Sequence, residues 1–302
     1  MSAFGDRILL ATDGSPEAER ALEMAATLSE RLGAELHLVS VEPMPDPLSW
    51  PEARIMSPEL REDIRERAED AARKLLEGQV EKVEERGLEV SEVHAVAGRP
   101  DTEIVRVAEE IGAGLVVLGS RGLGPVRRAV MGSVSLSVVH HSHGSVLVVR
   151  GDGGDFPGPI LLAVDGSEQA RVAAEAAAEI SASTGSGLHV VFVMPAADHL
   201  YGHHLYSRNL KESVREQAED DVRTFLDEQV GQLEQHGGKV ENTHMVVGRP
   251  DAEIVKLAEE LGAGLTVVGS RGLGGVRRAL VGSVSGSVVR HAHGPVLVAR
   301  SE

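Results

Sequence analysis

The chain contains no cysteine, so neither a disulfide framework nor a thiolate metal site is open to it. Aromatic residues make up only 2% of its 302 residues, and acids outnumber bases 47 to 30, a formal charge of −17. No basic tail or stripe offsets this balance. Nucleic acid is thereby excluded as a natural partner, because its binding needs basic tracks and often stacking rings. No long apolar run and no signal-peptide pattern is found; Met1-Ser2-Ala3-Phe4-Gly5-Asp6 leads directly into a strand pattern. The expectation is a cytoplasmic protein without a membrane partner.

What is present is an internal duplication. Ile8-Leu9-Leu10-Ala11-Thr12-Asp13-Gly14-Ser15 returns as Ile160-Leu161-Leu162-Ala163-Val164-Asp165-Gly166-Ser167, and Gly98-Arg99-Pro100-Asp101 returns as Gly248-Arg249-Pro250-Asp251. A period near 150 residues, with a full set of apolar segments in each copy, means tandem domains rather than a solenoid. The boundaries are residues 1–150 and 159–302, joined by the Gly- and Asp-rich linker 151–158.

Within each copy, short continuous apolar runs alternate with segments of helical period. In the first copy the strands are read at 7–12, 35–41, 88–97, 115–118 and 146–149. The helices are read from Ser15 to Gly33, Pro58 to Arg86, Asp101 to Ile111 and Ser133 to Ser142. The inner face of the long helix is assigned to Leu60, Ile64, Ala68, Ala71, Leu75 and Val83. Such alternation gives an α/β protein: two tandem doubly wound parallel sheets, with ligands bound beyond the strand carboxyl ends.

The most chemically informative stretch is Gly119-Ser120-Arg121-Gly122, nine residues, then Gly132-Ser133. It recurs as Gly269-Ser270-Arg271-Gly272, nine residues, Gly282-Ser283. Each follows a buried-strand signal and ends where a helix begins. Glycines let the backbone approach an oxyanion, and the unsatisfied N–H groups of a first helical turn point at it. A left-handed backbone is expected at Gly122 and Gly272. Ser133 and Ser283 are placed to cap the helix or bond a phosphate, while Arg121, Arg127, Arg128 and their counterparts Arg271, Arg277, Arg278 supply positive charge. A single such loop would read as a tight turn; two at identical spacing point to phosphate.

With the Gly-x2-Gly-x9-Gly-Ser loop, the opening strand ending in Asp13, and the closing Val-Leu-Val strand, the chain resembles the universal stress proteins over both copies. That resemblance implies five-stranded sheets of order 3-2-1-4-5, an adenine-nucleotide α-hydrolase-like fold, and ATP binding with Mg or Mn carried on the phosphates. It places Asp13 and Asp165 near the ribose or metal, and the Val41 and Val193 backbone at the adenine edge. Gly119 and Gly269 then approach the ribose, while Gly122, Gly132, Ser133, Gly272, Gly282 and Ser283 hold phosphates. It also implies pairing of the two domains through their fifth strands. A homodimer of chains could form through Leu48, Trp50 and Ile55.

Catalysis has little support in the sequence. The loop lacks the lysine of a P-loop, and no Ser–His–Asp order or carboxylate pair can be set against a phosphate. A stress-response or regulatory protein using ATP as a structural or switching ligand is the reading; a slow ATPase or adenylyl- or phosphoryl-transfer enzyme is the alternative. The 13 histidines give no recognised zinc spacing, and His141, His143, His291 and His293 sit where a helix C-terminus favours them. Pro125 against Gly275, and unlike segments after the second strands, suggest two inequivalent sites.

Overall fold

The computed structural model describes residues 2–44, 56–122, 131–151, 156–194, 208–272 and 281–301. Two compact units divide near residue 151. The first runs β1 (Arg7–Ala11), α1 (Pro16–Leu32), β2 (Glu35–Pro43), α2 (Pro58–Glu84), β3 (Glu92–Gly98), α3 (Pro100–Ile111), β4 (Leu115–Gly119), α4 (Ser133–His141) and β5 (Ser145–Val149). Its strands are all parallel, in the order β3-β2-β1-β4-β5. The second runs β6 (Ile160–Ala163), α5 (Glu168–Thr184), β7 (Gly187–Met194), α6 (Arg208–Gln235), β8 (Lys239–Val247), α7 (Pro250–Leu261), β9 (Leu265–Gly269), α8 (Ser283–His291) and β10 (Val296–Ala299). Its order, β8-β7-β6-β9-β10, repeats 3-2-1-4-5 with parallel pairing.

The core of each unit is its central strands. Ile8, Leu9, Leu10, Leu115, Val116 and Val117 are fully buried, as expected of parallel strands covered on both faces. Helix α1 begins as its sequence directs: the Ser15 hydroxyl accepts from the Ala18 N–H, Pro16 occupies the first turn, and Gly33 ends the helix in a left-handed conformation (φ 67°). The chain leaves β1 for β2 on one side and reaches β4 on the other. The carboxyl ends of β1 and β4 therefore flank the switch point.

Three expectations are corrected. The buried stripe of α2 is Ala72, Leu76, Gln79 and Val83, whereas Leu60 and Ala71 are exposed. Full burial begins only at Ala72, in the second half of the helix, while Ile64, Ala68 and Leu75 are half-buried. Strand β3 starts at Glu92 rather than residue 88, because the first register pair with β2 is His37 with Glu92. Strand β2 continues to Pro43, paired with Gly98. No helix among the described residues is long and apolar enough to cross a membrane. Leu48, Trp50, Ile55, Pro125 and Gly275 lie outside the described residues.

Candidate functional site

In each unit the β1–α1 turn and the glycine loop meet at one cleft. The first, of about 410 Å³, is lined by Asp13, Val41, Gly119, Arg121, Gly122, Gly132 and Ser133, with Val39, Pro100 and Ile104 as apolar wall. The second, of about 510 Å³, is lined by the equivalent Asp165, Val193, Gly269, Arg271, Gly272, Gly282 and Ser283, with Val191, Pro250 and Ile254. The structure thus gathers every site residue singled out from the sequence except Arg127, Arg128, Arg277 and Arg278, which lie outside the described residues.

The turn is built by its own side chains. Gly14 takes φ 73°, a conformation that costs glycine nothing, and lets the Asp13 carboxylate fold back to accept from the Ser15 N–H at 3.1 Å. Asp165 repeats this with Ser167 at 2.9 Å. Ser15 is fully buried and does two further jobs: it caps α1 and donates to the Arg121 carbonyl at 3.3 Å. Ser167 does the same toward Arg271 at 3.4 Å. The two halves of each cleft are stitched by one hydroxyl.

The glycines act differently from expectation. Gly122 and Gly272 are not among the positive-φ glycines. A Cβ on Gly122 would overlap Asp13 Oδ2, and one on Gly272 would overlap Asp165 Oδ2. Their absent side chains make room for the aspartate rather than for a left-handed turn. A Cβ on Gly119 would lie 2.9 Å from the Glu17 carbonyl carbon, and on Gly269 2.6 Å from the Gln169 carbonyl oxygen. These two glycines line the cleft and also let α1 and α5 pack onto their strands.

The cap of α4 is Gly132, not Ser133, which is the first helical residue; α8 repeats this with Gly282 and Ser283. The first intrahelical bond runs from the Leu136 N–H to the Gly132 carbonyl, so the N–H groups of Ser133, Val134 and Ser135 precede the helical ladder. Ser135, which the sequence reading overlooked, holds the Gly119 carbonyl at 2.7 Å, and Ser285 holds Gly269 at 2.6 Å. The doubled Gly-Ser-Val-Ser signal could have revealed them.

Charge separates the two clefts. Arg121 pairs with Glu17 at 2.6 Å, both largely buried. The second unit has Gln169 at the position of Glu17, and Arg271 forms no ion pair among the described residues. Behind each loop lies a buried arginine closing the fifth strand. Burial, then the neighbouring Arg121, pushes Arg150 down; burial, then Arg271, lowers Arg300 to about 10.

A Ser–Asp–His group also recurs, at Ser137, Asp101 and His141 and at Ser287, Asp251 and His291. In it the hydroxyl approaches the carboxylate at 2.8 and 2.7 Å, and the imidazole Nδ1 lies 2.8 Å from a helix carbonyl, Ser137 or Ser287. The hydroxyl also lies 3.2 Å from that Nδ1, but the nearer carbonyl requires Nδ1 to carry its proton and the hydroxyl is closer to the acid, so this is a tie between α3 and α4 rather than an activated nucleophile. Burial works to raise both carboxyls, yet the serine and then the arginine at 99 or 249 hold them below the usual range.

Comparison with known proteins follows this geometry. The family model described as "Universal stress protein family" matches residues 5–150 and again 158–300. A universal stress protein of Mycolicibacterium smegmatis is 31% identical, over 97% of this chain and 96% of its own. One of Mycobacterium tuberculosis is 30% identical, over 97% and 94%. Among solved structures, a universal stress protein from Archaeoglobus fulgidus aligns with a TM-score of 0.68 at 25% identity, covering 99% of this chain and 97% of that one. The chain belongs to the universal stress protein family, as a tandem member with the adenine-nucleotide α-hydrolase-like fold.

Proposed function

We propose that the protein binds ATP in both clefts and acts as a cytoplasmic stress-response or regulatory protein, the nucleotide serving as a structural or switching ligand. The observation that carries this reading is the convergence, twice in one chain, of a helix N-terminus, a glycine loop and an aspartate on a cleft with apolar walls. The residues fit the group. The first-turn N–H groups at Ser133, Val134 and Ser135 suit phosphate oxygens, favoured by the helix dipole. Val39, Val41, Pro100 and Ile104 suit a flat base, which needs mostly apolar walls and a few polar contacts.

In this reading Asp13 and Asp165 meet the ribose or a Mg or Mn ion on the phosphates, for which carboxylate oxygens are the apt ligands. The bound nucleotide would supply negative charge that the first-turn N–H groups of α4 and α8, with Arg121 and Arg271, would hold. Arg121 and Arg271 would contribute unequally, since among the described residues Arg121 pairs with an acid and Arg271 does not.

The test is acid extraction of the purified chain followed by chromatography of what is released, with calorimetric titration of the emptied protein. Adenine nucleotide in the extract and saturable ATP binding are expected. A chain that releases none and shows no heat with ATP would overturn the reading. Release of γ-phosphate over an hour with stoichiometric metal would instead favour the enzymatic alternative.

A further inference from the structure

A second cluster of ligating side chains lies away from the clefts, toward the amino ends of β2 and β3. In the parallel register His37 stands opposite Glu92 and Val39 opposite His94. Because side chains alternate with period two, His37, Glu92 and His94 share one face of the sheet. His37 is four residues before Val41, or roughly 13 Å along the strand from the cleft.

The ligating atoms form a small triangle. His37 Nδ1 and His94 Nε2 are 3.5 Å apart, and each lies 3.9 Å from Glu92 Oε2. A point equidistant from the three is about 2.2 Å from each, close to the zinc–nitrogen and zinc–oxygen bond lengths of ~2.0–2.2 Å. The other nitrogen of His37 is also accounted for. The ring is only 5% exposed, and its Nε2 makes no hydrogen bond but faces Glu35 Oε2 at 3.6 Å. A carboxylate behind the distal nitrogen is what orients and strengthens a metal-bound imidazole. Glu35 is itself held by the Arg7 Nε at 3.0 Å. An imidazole–imidazole hydrogen bond would explain the ring pair, but not the Glu92 carboxylate beside both facing nitrogens with Glu35 behind His37. Glu92 is 63% exposed, so a cation can enter from solvent and keep water as its fourth ligand.

The second unit provides an internal comparison. His189 Nδ1 and His244 Nε2 repeat the ring pair at 3.1 Å. Asn242 stands opposite His189, as Glu92 stands opposite His37, so the second unit has an amide where the first has the carboxylate. Glu241 reaches the other nitrogen of His189, at 3.8 Å, and accepts from Lys239 Nζ at 2.8 Å. The pair of rings is kept while the third ligand is replaced by Asn242.

We infer that His37, His94 and Glu92 form a site for a divalent transition-metal cation of the zinc class, pinning β3 to β2, and that the second unit lacks the complete ligand set. Two imidazoles and a carboxylate suit zinc, whereas magnesium and calcium prefer oxygen alone. The inference does not depend on nucleotide binding.

The test uses the metal-stripped full chain, titrated with zinc chloride by calorimetry in buffer free of phosphate and nucleotide, alongside E92Q, H94N and H244N. One saturable site per chain is expected, weakened at least about tenfold by E92Q, abolished by H94N and retained in H244N. Circular dichroism establishes that each variant is folded. Because H94N could disturb the sheet, E92Q, whose side chain is largely exposed, is the deciding variant. Zinc should also raise the melting temperature of the native chain and of H244N, but not of H94N. A native chain without saturable zinc binding, or folded E92Q binding as tightly as native, would overturn the inference. Zinc held only by other surface histidines would show itself as binding that E92Q and H94N leave unchanged, and so also overturns it.

Discussion

Replacing Gly122 by alanine tests how the glycine loop is built. The backbone at Gly122 is outside the positive-φ region, so alanine meets no conformational penalty there. The penalty comes from the new Cβ, which overlaps Asp13 Oδ2. Asp13 must swing away, and in doing so gives up the hydrogen bond from the Ser15 N–H at 3.1 Å. A hydrogen bond to a charged acceptor is worth roughly 1.5–3 kcal/mol, and removing a glycine from the unfolded chain returns about 0.4–1 kcal/mol. The net loss should be about 1–2 kcal/mol, a shift of roughly 0.5–1 M in the urea midpoint. The cause is a side chain, so it can be removed. With Asp13→Ala already in place, Gly122→Ala should instead stabilise by about 0.4–1 kcal/mol, giving a coupling of roughly 1.5–3 kcal/mol in the double-mutant cycle. The assay is urea unfolding of the four proteins followed by far-UV circular dichroism. ATP titration of the same set should show Gly122→Ala and Asp13→Ala both weakening the first cleft. Equal destabilisation by Gly122→Ala with and without Asp13 would refute the steric argument and point back to backbone conformation.

The unequal clefts give a second prediction. Glu17→Gln releases Arg121 from its partner at 2.6 Å and should raise ATP affinity in the first cleft about fivefold, whereas Gln169→Glu should lower it in the second; calorimetry with the other cleft disabled by Gly272→Ala or Gly122→Ala measures each. Identical affinities before and after would remove the role assigned to the arginines. The α3–α4 tie gives a third, pH-dependent prediction. Because the folded Asp101 carboxyl sits below its ordinary 3.8, the stability it contributes is present above that value and is lost as pH falls through the lowered one. Asp101→Asn should therefore cost about 1 kcal/mol near neutrality and progressively less in acid, as urea midpoints across the pH range would reveal. A cost that does not change with pH would mean that the carboxylate charge is not what holds Ser137.

The repeat, the strand–helix alternation, the caps of α1 and the two glycine loops are all readable along the chain. Each depends on local chemistry: Ser15 and Pro16 start a helix, Gly33 stops it, and continuous apolar runs at 115–118 and 146–149 demand cover on both faces. The duplication carries the loops from ambiguous turns to paired sites. What was not readable is what depends on partners distant in sequence. Only packing shows that the buried stripe of α2 is Ala72, Leu76, Gln79 and Val83, because a long polar helix offers several weak stripes and the sheet selects one. Gly122 looks like a turn residue until Asp13, more than a hundred positions earlier, is seen in the space its side chain would fill. Glu17 neutralises Arg121 only because adjacent parallel strands deliver both to one cleft. His37 and His94 are 57 residues apart, and no spacing rule connects them. It is the register of β2 on β3 that brings their nitrogens together and sets Glu92 beside them, whereas the same register in the other unit brings Asn242. Local sequence determines which elements form and where they begin; register and packing, which sum interactions over the whole unit, determine which side chains meet.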